Sequence, residues 1–135
     1  MLAPKNIKYR IPHQSRLNGS ASSGRFVSFG NYGIQSIQQV WFTSRQIETS
    51  RRILIRYVRR NGKLWIRIFP DKIVTRRPAE TRIGSCKGRL NYWVAIICSG
   101  QMLFEFSGIS KQVARQATRI VSSKLQFKVR FIKKF

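Results

Sequence analysis

The side chains that could carry catalysis are few and scattered along this sequence. The acids are Glu48, Asp71, Glu80 and Glu105, and His13 is the single histidine. General acid–base catalysis, a Ser–His–Asp arrangement and phosphotransfer all draw on carboxylates or imidazoles. Because only these five groups are available, we predict that the chain is not an enzyme.

The two cysteines offer the remaining reactive groups. Cys86 and Cys98 lie twelve positions apart, which matches neither a Cys-x-x-Cys pair nor half of a zinc site. Arg82 and Lys87 could activate the Cys86 thiol as a nucleophile, but no histidine is well placed as its base. We therefore predict no metal, no cofactor, no small-molecule substrate and no disulfide.

Basic side chains dominate the composition instead. The 135 residues include 27 Lys and Arg against four acids, which gives a formal net charge of +23. Such a chain repels itself and gains free energy when its cations release counterions from phosphates. The longest apolar run, residues 92–98, is too short for a membrane span of about 20 residues, and residues 1–30 lack the apolar core of a secretory signal. RNA or DNA is therefore the expected partner.

The densest basic group falls on a predicted helix over residues 44–60. Thr43 and Gln46 form a capping box that begins it, and Asn61-Gly62 is expected to end it. Apolar residues recur at helical spacing on one side, namely Ile47, Leu54, Tyr57 and Val58. The other side carries Arg45, Arg51, Arg52, Arg56, Arg59 and Arg60 against Glu48 alone. Guanidinium forks match phosphate oxygens, so this face is predicted to contact phosphates rather than only water.

A second basic group falls in a long loop predicted over residues 76–88. It carries Arg76, Arg77, Arg82 and Lys87, with Glu80 as its acid. Gly84 and Gly88 let backbone approach a ligand closely, although the spacing is not that of a Walker A loop. RNA contact is favoured over a mobile solvent loop.

The other elements complete an α+β pattern. Residues 1–24 are predicted to be a basic extended tail that orders only on a partner, although their composition also suits a transit peptide. Residues 25–135 are predicted to form one domain. Period-2 alternation predicts strands over 63–69, 73–75 and 125–131, short strands within 25–41, and a hairpin of 92–97 with 101–106. Ser110 begins a second helix through Lys124, and Trp65 is expected to lie under a helix rather than stack on a base. This order predicts a mainly antiparallel sheet with two helices packed on it.

Ordered strings along nearly the whole chain carry a family resemblance. They include Met1-Leu2-Ala3-Pro4-Lys5, Ser28-Phe29-Gly30, Thr43-Ser44-Arg45-Gln46-Ile47-Glu48, Gly62-Lys63-Leu64-Trp65-Ile66, Arg77-Pro78-Ala79-Glu80-Thr81-Arg82 and Tyr92-Trp93-Val94-Ala95. In this order they resemble the bacterial and organellar large-subunit ribosomal protein sixteen family. The matching start at Met1 favours a mature tail over a cleaved presequence.

The resemblance implies a hammerhead-type fold and a structural role in the large ribosomal subunit. The expected partners are large-subunit rRNA, tRNA in the aminoacyl site and neighbouring ribosomal proteins; the expected roles are late assembly and tRNA positioning. It also implies that a loop faces tRNA and the peptidyl-transferase region, through Arg82, Gly84, Ser85, Cys86, Lys87 and Gly88. Ser85-Cys86 departs from the family's usual loop, and Arg82 matches an arginine that some bacteria hydroxylate.

The predicted rRNA-binding residues combine the tail, the helix and the flanks of the loop. They are Lys5, Lys8, Arg10, Arg16, Arg25, Arg45, Arg51, Arg52, Arg56, Arg59, Arg60, Arg67, Arg76 and Arg77. Departures from the family in the tail suggest an organellar gene, with the mitochondrion favoured and the plastid or bacterial cytoplasm as alternatives. An architectural DNA-binding protein and a basic enzyme acting on RNA are the rival functions.

Overall fold

The computed structural model describes residues 2–9, 13, 18–59, 62–80, 83–84 and 88–134. The strands and helices within these ranges are β1 Tyr32–Ser36, β2 Val40–Thr43, α1 Ser44–Val58, β3 Lys63–Ile66, β4 Lys72–Arg76, β5 Arg89–Ile97, β6 Met102–Ser107, α2 Lys111–Lys124 and β7 Val129–Lys133. Each described strand pairing is antiparallel. The α+β class with two helices is confirmed.

The strands form two sheets rather than one. A four-stranded sheet has the order β3-β6-β1-β7, and a three-stranded sheet has the order β2-β5-β4. Strand β1 is central in the first sheet because it pairs with both β6 and β7. Among the described residues, no helix is long and apolar enough to cross a membrane.

One apolar core joins the helices to both sheets. Phe104 of β6 and Ile34 of β1 are fully buried against Leu54 of α1 and Val121 of α2 in this core. Phe42 of β2 packs edge-on against Phe104, with 6.4 Å between ring centroids, and so links the two sheets. Truncating such a buried Phe costs about 3–5 kcal/mol, so this contact helps to hold the two sheets together.

The predicted hairpin of residues 92–97 with 101–106 is wrong. Strand β5 pairs with β2 and β4, whereas β6 pairs with β1 and β3. Gly100, with φ of +85°, turns the chain from one sheet to the other. Its N–H donates to the Ser36 carbonyl at 2.8 Å, and the Ser36 N–H donates to the Gln101 carbonyl at 2.9 Å. These bonds direct β6 to β1 instead of β5.

Helix α1 begins as predicted and ends earlier. Both halves of the capping box between Thr43 and Gln46 are present. The helix ends at Val58, and Arg59 takes the positive φ of 54° that was expected at Asn61-Gly62. Residue 61 lies outside the described ranges. Gly62 instead allows a close backbone approach, because a Cβ there would lie 2.7 Å from the Ser107 carbonyl oxygen.

Other predicted boundaries shift by a few residues. Ser110 caps α2, since its hydroxyl accepts from the Val113 N–H at 3.4 Å. Strand β3 ends at Ile66 rather than residue 69, and β7 begins at Val129 rather than residue 125. The described tail residues lie in none of the named elements, but the Ala21 N–H donates to the Ser99 carbonyl at 2.9 Å.

Candidate nucleic-acid interface

The outer side of α1 presents an arginine face, defined here as Arg45, Arg51, Arg52, Arg56 and Arg59. The face exists because α1 buries Ile47, Leu54 and Val58 at helical spacing, which turns the remaining positions outward. All of its members are exposed except Arg51, which is half-buried. Arg60, predicted to extend the face, lies outside the described residues.

Glu48 is the acid within the arginine face. Its carboxylate accepts from Arg51 Nε and Nη2 at 2.8 and 2.7 Å, and from Arg52 Nε at 3.0 Å. These hydrogen bonds, that of Arg51 first, lower the pKa of Glu48 from 4.5 to about 2. Within the described part of the chain, no acid forms an ion pair with Arg45, Arg56 or Arg59. The face is therefore strongly positive at neutral pH.

The predicted tail residues are only partly described. Lys5, Lys8 and Arg25 are exposed, and Lys8 Nζ lies 5.6 Å from the centre of the Tyr9 ring. Arg10 and Arg16 lie outside the described residues. The structure therefore places Lys5 and Lys8 of the tail, and Arg25 directly after it, on the surface.

The predicted loop lies between β4 and β5. Arg76 and Arg77 are exposed at its start, and Gly84 is exposed with φ of +112°. Gly88 is half-buried, and a Cβ there would overlap the Arg76 carbonyl, so only glycine fits that close approach. The other predicted loop residues lie outside the described ranges, namely Arg82, Ser85, Cys86 and Lys87.

Arg67, another predicted rRNA-binding residue, takes part in an internal ion pair. Its Nη1 contacts Oε1 of Glu105, a fully buried acid of β6. Oε2 of the same carboxylate accepts the N–H groups of Ser28, Phe29 and Gly30 at 3.1, 2.7 and 2.9 Å. We call this group the Glu105 cluster.

Aromatic rings cover the Glu105 cluster. The Arg67 guanidinium lies 4.9 Å from the centre of the Phe29 ring, and Phe29 stacks on Trp65 with centroids 6.3 Å apart. Trp65 pairs with Glu105 across β3 and β6, so by alternation it lies on the opposite face from buried Phe104. The expectation that Trp65 lies under a helix is wrong, because the segment carrying Phe29 covers it instead.

The electrostatics of the cluster favour the charged carboxylate. Burial by itself raises the pKa of Glu105, but the hydrogen bonds from Gly30, Phe29, Ser28 and Arg67 together outweigh burial and lower it. Three successive N–H groups on one oxygen form an anion-binding concavity of the kind known as a nest. The cluster holds the segment before β1 against the four-stranded sheet.

Sequence reasoning missed the Glu105 cluster, although a signal was present. An acid between Phe104 and Phe106 in an apolar strand indicates a buried charge that needs a partner. Among the described residues, no group of three or more His, Cys, Asp or Glu is placed to hold a metal ion, and Cys98 forms no disulfide.

Comparison with known proteins identifies the family of this chain. The family model described as ribosomal protein L16p/L10e matches residues 4–132. The large ribosomal subunit protein uL16c of Gracilaria tenuistipitata is 54% identical over 134 residues, covering 99% of both chains. That of Porphyra purpurea is 55% identical over 132 residues, covering 98% of this chain and 95% of its own. The large ribosomal subunit protein uL16 of the Trichodesmium erythraeum strain IMS101 is 52% identical, covering 98% and 96%.

These relatives bear on compartment and on function. Chloroplast and cyanobacterial proteins among them support a plastid or bacterial ribosome, and they give no support to the mitochondrial preference. A large-subunit ribosomal protein has rRNA and other ribosomal proteins as partners. The chain belongs to the ribosomal protein L16p/L10e family and is a structural, non-enzymatic constituent of the large ribosomal subunit.

Proposed function

We propose that the chain binds large-subunit rRNA through the arginine face of α1 and the basic tail, close to the aminoacyl-tRNA site. In this position it supports late subunit assembly and helps to position tRNA during translation. The arginine face is the observation that carries the proposal. Two of its five guanidinium groups, those of Arg51 and Arg52, pair with Glu48, so phosphates are the natural partners for the other three.

The main experiment reverses charge on the arginine face. Arg52→Glu with Arg56→Glu changes two exposed side chains, so the fold should persist while incorporation into large subunits fails. Lys111→Glu with Arg119→Glu makes the same change of charge on exposed positions of α2 and is the matched control. Subunit profiles and circular dichroism measure the two properties. Equal loss of incorporation in both variants would show that total charge matters and the arginine face does not.

The salt dependence of rRNA binding tests the phosphate mechanism. If about eight phosphates are engaged, the logarithm of the association constant should fall against log salt with a slope of about −7. The isolated protein and an rRNA fragment suffice for a titration at several salt concentrations. A flat dependence would remove the phosphate mechanism.

The loop between β4 and β5 is proposed to have a separate role. If Arg82 and Lys87 reach toward tRNA, Arg82→Ala with Lys87→Ala should leave subunits assembled but slow aminoacyl-tRNA accommodation, because only positioning contacts are lost. Subunit profiles and single-turnover accommodation should be measured on the same preparation. Normal accommodation would reduce the loop to a spacer, and failed assembly would make it part of the docking surface.

Sedimentation separates this proposal from the rival functions and tests the compartment. The protein should travel with large subunits at moderate salt, in plastid or bacterial fractions. An architectural DNA-binding protein would follow the nucleoid instead. Recovery with mitochondrial ribosomes would restore the assignment that the relatives do not support.

A further inference from the structure

A second basic surface lies on the opposite side of β1 from β6. It is a groove of about 900 Å³ between residues 25–27 and the edge strand β7, and we call it the β7 groove. Among the residues that the structure describes, four cations line it, namely Arg25, Arg130, Lys133 and Lys134. None of the described lining residues is acidic, and Glu105 of β6, on the far side of β1, is already matched by Arg67. The groove therefore attracts an anion.

An exposed aromatic ring lies beside these cations. Phe26 is 76% exposed, which is an unfavourable state for so large an apolar side chain unless a partner covers it. Phe131 of β7 pairs with buried Ile34 and stacks on Tyr32 with ring centroids 5.5 Å apart, so by alternation it faces the core side and Phe26 is the accessible ring. Cations beside an accessible ring are the combination that binds unpaired nucleotides, whose phosphate and base need different contacts.

A buried amide holds the groove in shape. Gln35 is 2% exposed, and its Oε1 accepts from Arg130 Nε at 2.6 Å. Its Nε2 donates to the Arg25 carbonyl at 2.9 Å and to the Gly100 carbonyl. The Arg130 guanidinium is thus fixed through Nε, and the backbone before Phe26 is fixed as well. This preorganisation reduces the entropy that a ligand must overcome.

We propose that the β7 groove binds an unpaired nucleotide of RNA, with its base stacked on Phe26 and its phosphate held by Arg25, Arg130 and Lys134, whose Nζ lies 3.3 Å from the Ser28 carbonyl oxygen. The volume of the groove lies within the range of about 300–1,000 Å³ for pockets that bind small ligands. The inference rests on the proposed rRNA-binding function and adds a contact with single-stranded RNA. It concerns a different surface from the arginine face of α1.

The first test compares single-stranded and duplex RNA on the full chain. A labelled single strand of about eight nucleotides and a duplex of equal length are titrated by fluorescence anisotropy. Phe26→Ala should weaken binding of the single strand roughly 5- to 150-fold, the range for loss of one stacked base, and leave duplex binding unchanged. Phe69→Ala is the matched control, because Phe69 is 49% exposed and lies outside the groove.

Two conservative variants identify the contact as stacking. Phe26→Tyr keeps an aromatic face and should retain wild-type affinity, whereas Phe26→Leu keeps only apolar surface and should behave like Phe26→Ala. Wild-type affinity in Phe26→Leu would overturn the inference. If the wild-type chain bound neither RNA, the proposed function itself would fail; if it bound both and Phe26→Ala changed nothing, only the β7 groove would be refuted.

The second test uses assembled large subunits. A photoreactive phenylalanine analogue at position 26 should form an adduct with an unpaired rRNA nucleotide on irradiation. An adduct with a ribosomal protein would overturn the inference and show that β7 serves as an edge for another polypeptide.

Discussion

The Glu105 cluster and the arginine face of α1 use the same side chain in opposite ways. In the cluster, one guanidinium and three N–H groups match a single carboxylate that is fully buried. On α1, two of the five guanidiniums pair with Glu48, and four of the five side chains are exposed. The fold therefore neutralises charge where a sheet is covered and leaves positive charge in excess where an external polyanion can bind.

Removing the charge of buried Glu105 is expected to change stability the most. Glu105→Gln should destabilise the protein by about 3–5 kcal/mol, because the Arg67 guanidinium loses its counterion in a half-buried place. Denaturant unfolding followed by circular dichroism measures the free energy. Glu80→Gln removes the same charge from an exposed loop position and is the control. If the two variants lose equal stability, total charge is responsible and the cluster is not.

The pH dependence of the same pair gives a smaller effect. The pKa of Glu105 is lower in the folded state than its ordinary value of 4.5. The stability that ionised Glu105 contributes is therefore fully present above about 4.5 and is lost as pH falls through the lower folded value. The stability difference between wild type and Glu105→Gln should stay constant from neutral pH to about 5 and narrow below that. A difference that widened with acid would mean that the folded pKa is raised.

Removing the charge of Glu48, on the arginine face, is expected to have the smallest effect on stability. Glu48→Gln should leave stability nearly unchanged, since surface ion pairs contribute little. It should strengthen rRNA binding, because Arg51 and Arg52 lose their internal partner and can engage phosphates. The slope of log affinity against log salt should steepen by up to about 1.8 if both arginines reach phosphates. Asp71→Asn, at an exposed position away from α1, is the control. An unchanged slope would place the arginine face away from the RNA.

Local patterns predicted local structure well in this chain. The capping box at Thr43 and the cap at Ser110 depend on residues three positions apart, so both were visible in the sequence. The pairing of β6 with β1 was not visible in the sequence. It depends on Gly100 and on the hydrogen bonds of Ser36, which lie more than sixty residues apart along the chain. A short turn between two alternating segments suggested a hairpin, and tertiary contacts overrode that signal.

The candidate site likewise has a part that local spacing predicted and a part that depends on distant residues. The arginine face followed from helical spacing, and its exposed members are where the spacing put them. Arg67 could not be separated from the other cations by sequence, because its partner Glu105 lies 38 residues away. The sequence did not predict the β7 groove for a similar reason. Arg25 and Arg130 are far apart along the chain, and the hydrogen bonds that Gln35 forms with both of them bring them together.

The central position of β1 has a consequence for how the nascent chain acquires its structure. Both strands that flank Tyr32–Ser36 come from the last third of the sequence, as does the carboxylate that holds Ser28 to Gly30. Translation delivers β1 first and its neighbours last, so the early segment has no sheet to join while it emerges. Such long-range pairing slows folding, because the chain loses the entropy of loop closure before the paired strands gain their stabilising contacts. The four-stranded sheet therefore closes only after Val129–Lys133 has been synthesised, and truncation before that strand leaves the first strand with an open edge.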